Sequence, residues 1–254
     1  MTQTLKGTTA LITGASSGIG EATALALASA GMNVAIAARR KDRLDNLATL
    51  LRACGVEALV LEADITDPVQ PASIVELTVE RFGRLDALVN NAGVMLLGAI
   101  PGADPSEWHR MVDLNFTALT LCTLAALPHL QRAAESEPRR VADVVNVSSV
   151  AGRVARANAG VYNATKFAVG AYSEALRQEV TRQHVRVALV EPGAVTTELA
   201  GHNRPDVREQ MKKRFAGVER LEARDIADAI LYVISRPRHV AVNEMLIRPT
   251  EQEG

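Results

Sequence analysis

The chain has 254 residues, 48% apolar and 22% charged, with Lys+Arg 28 against Asp+Glu 29 and a net charge of −1. That length and balance suit one large α/β domain with a substantial core and argue against disorder. They also speak against nucleic acid as a partner, because neutralising phosphates needs a clustered positive excess.

The first residues, Met1 to Gly7, lack a charged stretch followed by an apolar one. No secretory leader is expected, and the protein is expected in the cytoplasm. Thr8 to Ile12 reads as a buried strand running into a glycine-rich turn, and Glu21 to Ser29 as a helix ended by Gly31. Asn33 to Ala38 is a second strand, Arg43 to Cys54 a helix closed by Gly55, and Val56 to Glu62 a third strand. Pro71 to Phe82 is a helix, Ala87 to Val89 a fourth strand, and Trp108 to Leu130 a long apolar helix. Val141 to Val147, Val185 to Val190 and Val242 to Ile247 complete the strands, with helices expected over Tyr162 to Gln183 and Ala223 to Ile234. Residues 200–220 are polar and charged, with Pro205 and Gly217. Continuous apolar strands alternating with helices predict a Rossmann-type, doubly wound parallel sheet of about seven strands in a single α/β domain.

Two uncharged stretches call for a membrane check. Ala22 to Ala38 is interrupted by Gly31 and Asn33, and Leu114 to Gln131 contains Asn115, Pro128 and His129. Neither is a clean span of about 20 apolar residues, so no membrane partner is expected. Cys54 and Cys122 form no CxxC pair and have no His at ligand spacing, so neither a disulfide framework nor a metal site is expected.

The first turn, Thr13-Gly14-Ala15-Ser16-Ser17-Gly18-Ile19-Gly20, lies between a predicted strand and a predicted helix. Glycines there let backbone approach a diphosphate, and the helix N-terminus offers free N–H groups and positive potential. The second strand ends Ala37-Ala38-Arg39-Arg40. An acidic side chain at that strand end would accept from a ribose 2′-hydroxyl, but Ala38 stands there and two guanidiniums follow. Arginine matches phosphate oxygens bidentately, so NADP(H) is favoured over NAD(H), with Arg39, first past the strand, the better candidate.

Tyr162 and Lys166 lie four apart on a predicted helix and therefore share a face. A nearby ammonium favours the phenolate and is expected to lower the tyrosine pKa, allowing general acid/base work. Standing alone, the pair would suit a surface contact. Ser149, however, follows the fifth strand, where ligands bind in open α/β sheets. Asn115 sits inside the apolar helix, where an unsatisfied amide would be costly. The fourth strand ends Asn90-Asn91-Ala92-Gly93, and Pro192-Gly193-Ala194-Val195-Thr196-Thr197 follows the sixth.

Together these motifs, spread from residue 8 to the C-terminus, resemble the short-chain dehydrogenase/reductase family, most closely NADP-dependent carbonyl reductases of the serine/3-hydroxy acid dehydrogenase type. The resemblance implies interconversion of a small-molecule carbonyl and an alcohol by hydride transfer. It makes Tyr162 the proton donor or acceptor and gives Lys166 the pKa-tuning and ribose-binding role. It places Ser149 on the substrate oxygen and has Asn115 hold a water in a proton relay. Cofactor contacts are implied for Gly14, Ser16, Ser17, Gly18, Ile19, Gly20, Arg39, Arg40, Asp64, Ile65, Asn91, Ala92, Gly93, Tyr162, Lys166, Pro192, Gly193, Val195 and Thr197. Residues 197–217 either fold over the substrate or form an ordinary surface pair of helices. Met95, Leu96 and Leu97 suit a pocket wall or simple packing. Arg153 and Asn158 suit a substrate carboxylate or, by a wider margin, a solvated loop. A homo-oligomer, by resemblance a tetramer, is expected through the apolar helices. An NADPH-binding regulator without turnover is the alternative, and it would call for damage at Asn115, Ser149, Tyr162 or Lys166, all of which are intact.

Overall fold

The computed structural model describes residues 4–253. Met1, Thr2 and Gln3, part of the stretch on which the leader expectation rests, lie outside the described residues. Seven strands form one parallel sheet: β1 (Thr9–Thr13), β2 (Asn33–Ala38), β3 (Ala58–Glu62), β4 (Ala87–Asn90), β5 (Ala142–Val147), β6 (Val185–Pro192) and β7 (Glu244–Ile247). Their spatial order is β3-β2-β1-β4-β5-β6-β7. The order reverses between β1 and β4, which opens a crevice at the carboxyl ends of those two strands.

The helices are α1 (Gly18–Ser29), α2 (Lys41–Ala53), α3 (Gln70–Phe82), α4 (Pro105–Val112), α5 (Ala118–Ala134), α6 (Gly160–Val180), α7 (Pro205–Arg214) and α8 (Ala223–Ile234). Strand residues alternate between two apolar layers. Ala10 and Ile12 face Leu27 of α1, Leu44 of α2 and Ile230 of α8. Leu11 faces the other way, toward Ile74 of α3, Cys122 of α5 and Leu176 of α6. Burial on both faces is why β1 and β4–β6 are mostly apolar without a polar alternation, with Asp143, Asn146, Arg186 and Glu191 the buried polar exceptions in β5 and β6.

Several elements differ from expectation, β3 beginning at Ala58 rather than Val56 and α1 at Gly18 rather than Glu21. The single helix expected over Trp108 to Leu130 begins instead at Pro105, where the Asp104 carboxylate accepts from Ser106 N at 2.8 Å. A five-residue π-helical turn, Asp113–Thr117, then interrupts it before α5. A π turn inserts one extra residue and re-aims the side chains around it, and here Asn115 is turned inward and buried. The run Pro105–Ala134 is long and apolar enough to cross a membrane by length and composition, yet its Cys122, Ala126 and Leu130 lie fully buried in the core. Within residues 200–220 the chain forms a short 3₁₀ turn, Glu198–His202, and then α7, with Pro205 at the helix start where its missing N–H costs nothing. The last strand begins at Glu244 rather than Val242 and is an edge strand whose Leu246 is 43% exposed.

The crevice is stitched shut at its base by polar side chains. Thr13 Oγ1 accepts from Asn91 N and Ala92 N at 3.1 and 3.2 Å. Asn91 Nδ2 donates to Thr13 O and Gly14 O at 3.0 and 3.2 Å. A Cβ on Gly14 (φ +67°) would lie 2.7 Å from Ala92 Cα, and one on Gly20 would lie 2.5 Å from Asn91 Nδ2 and Gly14 O. Glycine is required at both positions by this close approach of the β1 and β4 loops.

Candidate active site

The loops after β1, β4, β5 and β6 surround a cleft of about 650 Å³. Of the residues assigned to it from sequence, all line the cleft except Gly20, which packs beneath the first turn, and Asn115, which lies behind the wall.

At one end, Ser17 is extended and α1 starts at Gly18, so the first helical turn points its N–H groups into the cleft. Arg40 folds over this turn. Its Nε and Nη2 donate to Ser16 Oγ at 3.1 and 2.9 Å, Nη2 to Ser17 Oγ at 2.8 Å, and Nη1 to Glu198 Oε2 at 2.8 Å. Arg43 holds the other Glu198 oxygen at 2.6 Å. Hydrogen bonds from Arg43 and Arg40 bring the Glu198 carboxyl down to about 2. Arg39 is different: its side chain is 68% exposed and only 3.9 Å from the Asp64 carboxylate. Burial would raise the Asp64 pKa, but hydrogen bonds from Thr66 and the charge of Arg39 hold it below the usual value. Ala37, Ala63 and Ile65 form an apolar wall between them. A glycine turn closed on a neighbouring loop, two hydroxyls at a helix start and an apolar wall fit a nicotinamide dinucleotide. Glu198 escaped the sequence reading because nothing in its own segment marks a partner 155 residues away.

At the other end, Tyr162 and Lys166 project from the first two turns of α6, both buried. Lys166 Nζ donates to Val147 O at 3.0 Å and lies 5.9 Å from the centroid of the Tyr162 ring. The Ser149 hydroxyl lies close enough to the Tyr162 phenol to oppose its upward pKa shift. It also accepts from Ala151 N at 3.1 Å and reaches Pro192 O at 3.4 Å. Burial pushes the Tyr162 phenol up to about 12, against the smaller opposing effect of the Ser149 hydroxyl. The expectation of a lowered tyrosine pKa is thus reversed in the protein alone. The Lys166 ammonium is turned to Val147, and burial brings it down to about 8.

Asn115 is a brace. Its Oδ1 accepts from Val94 N at 2.8 Å, and its Nδ2 donates to Val94 O at 2.9 Å and to Thr165 Oγ1 at 3.2 Å. The side-chain amide is committed to these contacts and does not face the cleft, which leaves the backbone of Asn115 for any water it holds. Pro192 and Gly193 are backed by the C-terminal segment: Gly193 N donates to Ile247 O at 2.7 Å and Ala194 N to Gln252 Oε1 at 2.8 Å. Gln252, unmarked in the sequence, also lines the cleft.

Met95 and Leu97 line the cleft, whereas Leu96 packs in a buried cluster with Val94, Met111 and Tyr162. Arg153 and Asn158 do not reach it. Arg153 binds the carboxylates of Glu191 and Glu244, and the Asn158 carbonyl accepts from Gly98 N at 2.8 Å. The guanidiniums that do line this end are Arg156, Arg214 and Arg220, the last two flanking Phe215 at 5.4 Å each.

The sequence profile of the short chain dehydrogenase family matches residues 8–208. A glycine betaine reductase of Emericella nidulans is 39% identical over 98% of this chain, which spans only 19% of that protein's length. Among solved structures, the closed form of a serine dehydrogenase complexed with NADP+ superposes with a TM-score of 0.88, at 28% identity, over 97% of this chain and 96% of that one. A short chain dehydrogenase/reductase of Burkholderia phymatum in complex with NAD gives a TM-score of 0.84 at 26% identity, over 96% and 89%. With the sheet order, the glycine turn and the serine, tyrosine and lysine at the cleft, the chain belongs to the short-chain dehydrogenase/reductase family of oxidoreductases.

Proposed function

We propose that this protein is an NADP(H)-dependent oxidoreductase that interconverts a carbonyl and an alcohol. The observation that carries the reading is the buried phenol of Tyr162 on the cleft wall, with the Ser149 hydroxyl and the Lys166 ammonium lining the cleft beside it. A bound nicotinamide dinucleotide supplies the hydride. Ser149 and Tyr162 hold the substrate oxygen from two sides. In carbonyl reduction Tyr162 Oη gives its proton to that oxygen as negative charge develops; in alcohol oxidation it takes the proton back. Lys166 keeps a cation beside the phenol and offers donors to a ribose. Asn115 fixes the Val94 backbone and thereby the wall next to Gly93.

NADP(H) is preferred because no acidic side chain directly follows β2 and Arg39, exposed and held only by a long ion pair to Asp64 at 3.9 Å, can turn onto a 2′-phosphate. Arg40, with its donors committed to Ser16, Ser17 and Glu198, stiffens the turn beneath it. The substrate end favours a carbonyl compound bearing an anionic group. Among the described residues no ion pair holds Arg156, Arg214 or Arg220, and burial together with the Arg156 charge lowers the Arg214 pKa. The same reading has the enzyme assemble as a homo-oligomer, a tetramer, through apolar faces that carry the exposed Leu124 and Phe167.

Tyr162→Phe is expected to lower kcat about 10²–10⁴-fold while NADPH still binds. Because the phenol stays protonated up to about 12, reduction is expected to stay level across the neutral range while alcohol oxidation rises with pH. Rate profiles of the same slope in both directions would contradict the assignment. Arg39→Ala is expected to weaken NADPH about 10–100-fold, the range for a lost charge-assisted hydrogen bond, and to leave NADH nearly unchanged. Equal weakening of the two, in fluorescence titrations, would remove Arg39 from 2′-phosphate recognition. Arg156→Gln combined with Arg214→Gln is expected to raise KM about tenfold or more for acetoacetate but not for its methyl ester. An equal effect on both substrates would show that the arginines do not read charge. Light scattering should give a multiple of the 27.1 kDa chain mass, and a monomer would contradict the assembly.

A further inference from the structure

Glu191 has no part in the chemistry above, yet its side chain is 1% exposed, on the penultimate residue of β6. A buried carboxylate is costly unless it is paired and hydrogen-bonded. Its partner is Arg153: Nε donates to both Glu191 oxygens at 2.8 and 2.9 Å, and Nη2 donates to Oε2 at 2.6 Å. Nη2 also meets the exposed Glu244 at the start of β7. This bidentate, forked arrangement fixes both position and angle, which a point charge would not do.

Arg153 lies four residues after Ser149, on the same tight turn. Gly152 N donates to Ser149 O at 2.8 Å and Arg153 N to Val150 O at 3.0 Å. The opposite side of the turn is pressed onto α6. A Cβ on Gly152 would lie 2.9 Å from Lys166 O and Ser148 Oγ. Asn163, next to Tyr162, donates to Ala151 O and Val154 O at 2.7 and 3.0 Å. The segment that carries Ser149 is thus gripped by α6 on one side and by β6 on the other. Glu191 adjoins Pro192, whose carbonyl the Ser149 hydroxyl itself reaches.

We propose that Arg153 and Glu191 are positioning residues, a clamp anchored on the buried Glu191 carboxylate that holds the 149–153 turn between β6 and α6 and so sets the Ser149 hydroxyl against Tyr162. The inference rests on the reading that Ser149 and Tyr162 share the substrate oxygen. Small displacements of such groups cost rate more than they cost cofactor affinity.

The test uses the full chain with NADPH bound and the variants Arg153→Gln and Glu191→Gln. Amide hydrogen exchange over residues 148–156 is expected to quicken at least tenfold in both, with α1 unchanged. With a reducible aldehyde, kcat is expected to fall about 10–100-fold while the NADPH Kd shifts less than twofold. Glu191→Gln, which leaves the half-exposed Arg153 able to hydrate, should show the same loss, and it carries the test should Arg153→Gln fail to fold. Wild-type exchange and wild-type kcat in folded Glu191→Gln would overturn the clamp. Faster exchange over 148–156 in a protein that reduces no carbonyl would support the clamp and remove the oxidoreductase reading instead.

Discussion

Lys166 is a cation taken out of water at the carboxyl edge of β5, with Val147 O at 3.0 Å and the Tyr162 ring beside it. Much of the surrounding structure follows from accommodating that charge. Burial strains the ammonium toward neutrality and the phenol toward permanent protonation, so each group is least comfortable in its ionised form. A site built this way holds a proton on Tyr162 and gives it up only to a partner that develops charge within reach. The same burial keeps water from competing for the proton.

Around this pair, single polar side chains bind neighbouring loops to one another. Asn91 joins the β4 loop to the first turn, Asn115 secures Val94, Asn163 holds the turn after β5, and Arg153 ties that turn to β6. Backbone at the edge of a sheet has left its ladder and must find other partners. Asparagine, with a donor and an acceptor on one short stem, satisfies both kinds of group at once. The π turn at Asp113–Thr117 belongs to this scheme, since it turns Asn115 out of the register of a regular helix and onto Val94.

The sheet was legible because buried parallel strands leave continuous apolar runs, and β2 runs over Asn33–Ala38 as its composition indicates. The glycine turn, Ser149, Tyr162 and Lys166 were legible because their chemistry depends on local spacing. Helix α7 is obscured by its charge: only Val207 is buried, and its last residue, Arg214, lines the cleft. The inward fold of Arg153 and the division of labour between Arg39 and Arg40 depend on Glu191 and Glu198, which are distant in sequence. Asn115 was recognised as a buried amide needing partners, but its partner proved to be the Val94 backbone.

The most direct measurement is a crystal structure with NADP+ and a trapped alcohol product. The account predicts that Tyr162 Oη and Ser149 Oγ both lie about 2.6–3.2 Å from the alcohol oxygen, with the carbinol carbon facing the nicotinamide. An alcohol oxygen held elsewhere, out of reach of Tyr162, would contradict it.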